Sequence, residues 1–402
     1  MPEQKKITIV FYDEGAPGPN PLGGGQVARI NLMAGMDKSK FRPILLTSIR
    51  NELPKAAEKK GVEVLVHPVN PGFRRFDRTA LLKNPANLAR VLSKGVAASV
   101  RLARILKKLE ADIVNPNENL SRVVTLFAKP FHKVPAVCHI DNEWDKGLVD
   151  EIMGRLFTSG FDRLIAVSSR VREIAQRYTE DNEKIVTIPT GVNTEPFMNC
   201  SGGRLAQIVK SAGSRFNICT VGKLIRFKGQ HLVIKILSEI ANRLPPFNYI
   251  IIGDGPDRDE LQGYVRSLKM EDVVHFLGFR KDVPDILCDM DLLIQPSETE
   301  SWGLAVLEGM MAGLPVIATD VGGAREIMDN GKLGWLVKPN DNKDIASAIL
   351  DVTAMQEDER RQKGQKARKF AMKHYSFDQT VKLTEQVYLS MVDKTSFVAG
   401  RS

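Results

Sequence analysis

The residues best suited to chemistry in this chain are two carboxylates, Glu300 and Glu308, and three cations, Lys223, Arg226 and Lys228. The carboxylates lie between Gln295 and Ala318, a stretch that reads as strand end, polar loop, helix, tight turn and next strand. From Gly303 to Ala312 the helix carries Leu304, Ala305, Val306, Leu307, Met310, Met311 and Ala312. It is apolar nearly all round and belongs between layers. Glu308 sits inside it, and a buried charge is costly unless hydrogen-bonded. Vicinal sugar hydroxyls would satisfy it; so would a nearby Lys or Arg, or a path to solvent. The cations fall in Val221-Gly-Lys223-Leu-Ile-Arg226-Phe-Lys228-Gly229. Two compact point charges and one planar fork could bracket a diphosphate there. A solvated basic loop is the structural alternative.

Three glycine-rich turns accompany these groups. Gly23-Gly24-Gly25 opens a helix after the first strand, and amides without Cβ atoms suit the approach of an anion. It lacks the Gly-x-Gly-x-x-Gly pattern of dinucleotide sites, which disfavours a dehydrogenase. Gly253-Asp-Gly255 and Gly322-Gly323 likewise connect a strand to a helix. Turn chemistry explains each one singly. Their joint placement after strands points to a ligand cleft.

Short β-branched runs alternate with helical patterns throughout. Strands are predicted at 7–12, 43–48, 62–67, 111–115, 136–140, 163–168 and 184–189. The pattern restarts at 217–221, 247–252, 273–277, 292–295, 315–319 and 334–337. Such alternation implies a parallel, doubly wound sheet in each half, with ligands at the carboxyl ends of the strands. The Pro189–Pro196 segment, with two prolines and a glycine, suits a linker. The expected architecture is α/β: two facing Rossmann-like doubly wound domains, 1–195 and 196–375, with an interdomain cleft.

Composition agrees with this division. A chain of 402 residues, 43% hydrophobic and 26% charged, is globular and long enough for about two cores. It has no apolar run long enough to span a bilayer and no signal-peptide pattern at its start. Cys138, Cys200, Cys219 and Cys288 are widely spaced, which argues against a zinc site or a disulfide framework and suits a reducing cytoplasm. The net charge of +9 is concentrated in residues 1–195, which carry 30 Lys and Arg against 22 Asp and Glu. This speaks to partners rather than to fold.

The chain resembles retaining glycosyltransferases of the GT-B fold, family 4, also called glycosyl transferases group 1. Glu300-Ser301-Trp302-Gly303-Leu304-Ala-Val-Leu-Glu308 matches that family's pair of glutamates with seven residues between them. Pro189-Thr190-Gly-Val-Asn193 is similar to its linker motif, with Thr190 and Asn193 departing from the usual residues. Gly222-Lys223-Leu-Ile-Arg226-Phe-Lys228-Gly229 is similar to its phosphate motif, with Lys223 in place of the usual Arg. Gly253-Asp-Gly255-Pro256 and Gly322-Gly323 with Glu326 also match.

The resemblance implies a nucleotide-diphosphate sugar donor held mainly by the second domain, UDP ahead of GDP. It implies that Glu308 accepts from the ribose hydroxyls and that Glu300 binds the transferred sugar. Lys228, with Lys223 or Arg226, would stabilise the leaving diphosphate, helped by Gly24, Gly25 and the amides of Ser301, Trp302, Gly303 and Leu304. Gly222, Gly253 and Gly255 would line the donor site, and the backbone around Phe279 and Arg280 would border the base. His139 would contact the donor sugar and help position the acceptor side, although without the resemblance a half-buried structural histidine is the commoner explanation of that residue. No metal and no other cofactor is expected; Asp289-Met-Asp291 reads as a loop acid followed by a strand-start residue. A last helix, 376–402, would cross back to the first domain.

The acceptor side is read from charge. Between Arg74 and Lys108 lie Arg74, Arg75, Arg78, Lys83, Arg90, Lys94, Arg101, Arg104, Lys107 and Lys108, interleaved with apolar residues. A basic amphipathic region suits an anionic membrane surface; a core-facing helix with a solvated cationic back is the alternative. No nucleic-acid recognition motif is present. The expectation is a cytoplasmic enzyme, peripheral on the inner membrane face, that extends a glycan or lipid-linked acceptor in polysaccharide or lipopolysaccharide synthesis. Two other readings remain: a nucleotide-sugar epimerase-like enzyme, and a catalytically silent scaffold subunit.

Overall fold

The computed structural model describes residues 5–13, 22–69, 85–140, 148–199 and 202–393. Asp141, Glu143 and Trp144, Cys200, residues 74–84 of the basic stretch, and residues 394–402 lie outside them. The chain forms two compact units. One comprises residues up to Val167, with Val171–Ile188 and the segment from Thr380; the other comprises Ser168–Arg170 with Pro189–Gln379.

In the first unit, β1 (Ile7–Tyr12), β2 (Phe41–Thr47), β3 (Glu63–Val66) and β4 (Ile113–Pro116) form a parallel sheet in the order β3-β2-β1-β4. β5 (Val137–Ile140), β6 (Arg163–Ala166) and β7 (Ile185–Thr187) form a second parallel set. An isolated bridge from Val114 to Ala136 joins the sets, with Val114 N–H donating to the Pro135 carbonyl. Parallel strands buried on both faces need continuous apolar runs, and Ile9, Val10, Phe11, Ile44, Leu45 and Leu46 supply them. The Phe377–Val392 helix completes this core. Tyr388 is fully buried, its hydroxyl accepting from Asn115 Nδ2 at 2.7 Å and its ring edge-on to Phe11. Glu385 accepts from the Asp37 N–H.

The Pro85–Lys108 helix tests the amphipathic expectation. Leu102, Ile105 and Leu106 are buried in this unit, whereas Arg101, Arg104, Lys107 and Lys108 are exposed. Over its last two turns the apolar face therefore belongs to the protein core, and only the cationic back meets solvent.

In the second unit, β8 (Phe216–Val221), β9 (Phe247–Ile252), β10 (Val274–Gly278), β11 (Leu292–Gln295), β12 (Val316–Thr319) and β13 (Trp335–Val337) form one parallel sheet. Its order is β10-β9-β8-β11-β12-β13, so successive strands are added outward on one side of β8 and then on the other. The switch point lies between β8 and β11. There the backbone pairing runs through Cys219 and Leu293, and the Thr220 hydroxyl continues it by donating to the Ile294 carbonyl. Such a crevice is where open α/β sheets bind ligands. Trp302 anchors the loop above it, with its indole N–H on the Thr190 carbonyl. The Thr190 departure leaves that contact intact because it uses the backbone.

Of the cysteines, Cys138 and Cys219 are buried thiols outside any disulfide. Cys288 is disulfide-bonded, which the wide spacing does not foretell.

Candidate active site at the switch point of the second sheet

Two loops rise from the carboxyl ends of β8 and β11, and backbone contacts fasten them together. Glu298 N–H donates to the Phe227 carbonyl at 2.7 Å. Gly229 is left-handed at φ +75°, and a Cβ there would stand 2.2 Å from the Pro296 carbonyl oxygen. Only glycine permits that approach. The fastening places Lys228 opposite Glu300, with Nζ 2.5 Å from Oε2. The two side chains are 17% and 21% exposed, so the pair is sheltered yet open to a ligand.

The turn after β9 closes the same site from the other side. Leu224 N–H donates to the Asp254 carbonyl, and Asp257 N–H to the Leu224 carbonyl. A Cβ on Gly253 would meet the Gly222 oxygen at 1.9 Å, and one on Gly255 the Leu224 oxygen at 2.2 Å. Gly322 abuts the Glu300 carbonyl in the same manner, at 2.0 Å. These glycines are therefore required by the packing of loop on loop.

Glu308 answers the question raised by its helix. The Leu304–Met311 helix buries Val306, Leu307, Met310 and Met311, and its Gly309 packs on Leu293 of β11 and Val316 of β12. Leu304, Ala305 and Glu308 form the stripe that is only partly buried. Among the described residues the Glu308 carboxylate has no hydrogen bond and no ion pair. Burial alone pushes its pKa up from 4.5 to about 7. The alternative of a nearby Lys or Arg is thus not realised among the described residues.

The remaining candidates separate. Arg226 lies 3.9 Å from Glu260 and is well exposed. Lys223 is exposed, and its carbonyl accepts from Gln230 Nε2. Phe279 is exposed at the end of β10. Arg280 is engaged bidentately by Asp282, whose carboxyl that guanidinium, with Arg204, holds well below the usual range. Ser301 and Leu304 are partly buried beside Glu300, while Gly303, at φ +109°, starts the helix. Trp302 is buried and turned into the protein. Asp289 accepts from the amides of Gly203 and Leu205, and Asp291 from that of Asn217, so both carboxylates serve the backbone. Among the described residues no group of three His, Cys, Asp or Glu is arranged to hold a metal.

Gly24, Gly25 and His139 belong to the first unit. A Cβ on Gly23 would meet nothing within 4 Å, and one on Gly25 only the tip of Arg29 at 3.7 Å. Packing among the described residues does not call for glycine at either position. His139 lies on β5, half-buried, and its carbonyl accepts from the buried Arg122 at 2.7 Å.

Sequence reasoning missed a polar network beneath the site. Thr220 bonds the Tyr249 hydroxyl, Gln295 Nε2 donates to Ser297, and Thr319 donates to the Ser297 carbonyl. Thr220, Gln295 and Thr319 at the ends of β8, β11 and β12, with Ser297 just beyond β11, are the signal that could have revealed it.

Two family models match the chain: "Glycosyltransferase Family 4" over residues 22–196 and "Glycosyl transferases group 1" over residues 204–370. The chain is 32% identical over 158 residues to N-acetyl-alpha-D-glucosaminyl L-malate synthase of Bacillus anthracis, covering 39% of this chain and 40% of that enzyme. It is 27% identical to the UDP-Gal:alpha-D-GlcNAc-diphosphoundecaprenol alpha-1,3-galactosyltransferase of Escherichia coli, covering 65% and 71%. The chain thus spans less than half the length of the first of these relatives. The crystal structure of Anabaena HepE in complex with UDP-glucose superposes with a TM-score of 0.78 at 20% identity, covering 96% of this chain and all of that one.

Proposed function

The chain belongs to the family 4 glycosyltransferases of the GT-B fold, and from that premise we propose that it moves a hexose from a UDP sugar to a glycan or lipid-linked acceptor. The reading includes retention at the anomeric carbon, no requirement for a metal, and a role in polysaccharide or lipopolysaccharide synthesis. One observation carries it. Glu308, whose carboxylate has no partner among the described residues, lies on the helix that follows the Glu300 loop, and Glu300 pairs with Lys228 of the loop after β8. Ribose hydroxyls would donate to Glu308, each bond to a charged acceptor contributing about 1.5–3 kcal/mol. Glu300 would receive hydroxyls of the sugar. Lys228 would shift toward the diphosphate as charge develops on the leaving oxygen, a task preorganised cations perform without reorganisation cost. Lys223, exposed on the same loop, is available to join it.

The commitment of Asp289 and Asp291 to backbone amides supports the metal-free reading. Retention would follow from same-face substitution, with the leaving phosphate helping to deprotonate the acceptor. A lipid-linked acceptor is supported by the diphosphoundecaprenol named for the E. coli relative. No described helix is long and apolar enough to cross a membrane. Because the Pro85–Lys108 helix uses the apolar residues of its last two turns in the core, attraction to an anionic inner-face membrane would rest there on its charges, about 1 kcal/mol for each Lys or Arg near the surface.

Incubation of UDP-glucose and UDP-galactose with a panel of acceptors tests the function. Acceptor-dependent release of UDP that disappears in Glu300→Ala is expected. Tight donor binding without turnover on any acceptor would favour the silent scaffold. Sugar inversion without an acceptor would favour the epimerase.

A further inference from the structure

Glu300 sits in a stretch, 298–303, without regular secondary structure, so its position depends on how that stretch is fastened. One end is held by the Glu298 amide on Phe227. The other end is held by Trp302. Its indole N–H donates to the Thr190 carbonyl at 2.8 Å. Its ring meets Tyr375 edge-on, with centroids 5.4 Å apart, and Gly323 lies so close that a Cβ there would stand 2.2 Å from Cε3. Tyr375 is itself tied down, its hydroxyl donating to the Glu326 carbonyl. Thr190 also belongs to a braced segment: Val192 pairs with Ser376, and Gly191 packs on the Ser376 carbonyl with no room for a side chain.

We infer that Trp302 is a positioning residue that sets the reach of the Glu300 carboxylate, using an indole N–H to lock the loop to residue 190. The inference rests on the reading that Glu300 binds the transferred sugar. A Phe at 302 would fill most of the same space and keep the contacts with Tyr375 and Gly323, yet it has no donor for Thr190. The loop would stay folded but lose its fixed register, and Glu300 would exchange among positions, most of them unproductive. Nucleotide contacts through Glu308 lie on the helix, which Gly309 seats on the sheet independently of Trp302. Sugar-dependent and nucleotide-dependent properties should therefore part company.

Hydrogen–deuterium exchange and kinetics on the full chain carrying Trp302→Phe test this. Amides 299–303 should exchange at least about fivefold faster, with those of β8 and β11 unchanged. UDP affinity should stay within about twofold, while turnover of the nucleotide sugar falls about tenfold, the scale of one lost hydrogen bond. Gly323→Ala, which crowds the ring, should reproduce the pattern. Unchanged exchange at 299–303 would overturn the assignment, as would equal losses in UDP affinity and turnover. Failure of UDP to bind the unmodified chain would instead sink the nucleotide-site reading, and the exchange result would still judge the fastening itself.

Discussion

Replacing Glu308 by Gln separates the stability of the chain from its affinity for nucleotide. A rise in the carboxyl pKa from 4.5 to about 7 corresponds to roughly 3 kcal/mol against the ionised form. Partial exposure of the residue trims this to about 2 kcal/mol. The sign follows from proton counting. Between pH 4.5 and 7 the folded chain holds the proton and the unfolded chain has released it, so this group lowers stability as pH rises through that window. Glu308→Gln removes the penalty. The variant should be no more stable than wild type at pH 4.5, and about 2 kcal/mol more stable at pH 7.5, read by urea denaturation. Its UDP affinity should fall by about 2 kcal/mol, roughly thirtyfold, because neutral hydrogen bonds replace charge-assisted ones. Wild-type affinity should rise with pH up to about 7 and then level, while that of the variant stays flat. Calorimetric titration at pH 5.5, 6.5 and 7.5 measures this. A variant that is destabilised at pH 7.5, or that binds UDP as tightly as wild type, would refute the reasoning.

Other substitutions probe the remaining supports. Lys228→Met leaves Glu300 without its cation and should lower turnover about 10²–10³-fold, measured as UDP release. Gly253→Ala drives a Cβ to 1.9 Å from the Gly222 oxygen and should cost about 2 kcal/mol or more in chemical denaturation. Tyr388→Phe deprives the Asn115 amide of its buried partner and should cost about 1–3 kcal/mol, read in the same assay.

All thirteen strands among the described residues were legible in the sequence because buried parallel strands demand short β-branched runs; Ile7–Tyr12, Phe247–Ile252 and Leu292–Gln295 match residue for residue. The Glu308 helix was legible because an apolar segment broken by one carboxylate is chemically anomalous. Loop side chains were not. Arg226 and Lys228 are two positions apart, yet one leans to Glu260 and the other to Glu300. That choice is made by Gly229 and Pro296, which meet only in the folded chain. Trp302 read as a ligand neighbour from its place in the motif. Its burial depends on Thr190 and Tyr375, far away in sequence, and no local pattern announces them. The basic helix left both readings open, since an amphipathic face looks the same in sequence whether lipid or core covers it.

The downstream helix that completes the first unit has a consequence for how the chain is made. Tyr388 reaches Asn115 across 273 residues, and Glu385 reaches Asp37 across 348. As the polypeptide emerges during synthesis, the second unit has all of β8–β13 before the Tyr388 and Glu385 contacts can form. The first unit would wait with the ends of β1 and β4 uncovered, exposing the apolar surface on which Tyr388 later lies. Long-range closures of this kind are slow, and unfinished cores are prone to associate. A ribosome-bound chain halted before Thr380 should therefore hold a folded second unit and a protease-sensitive first one.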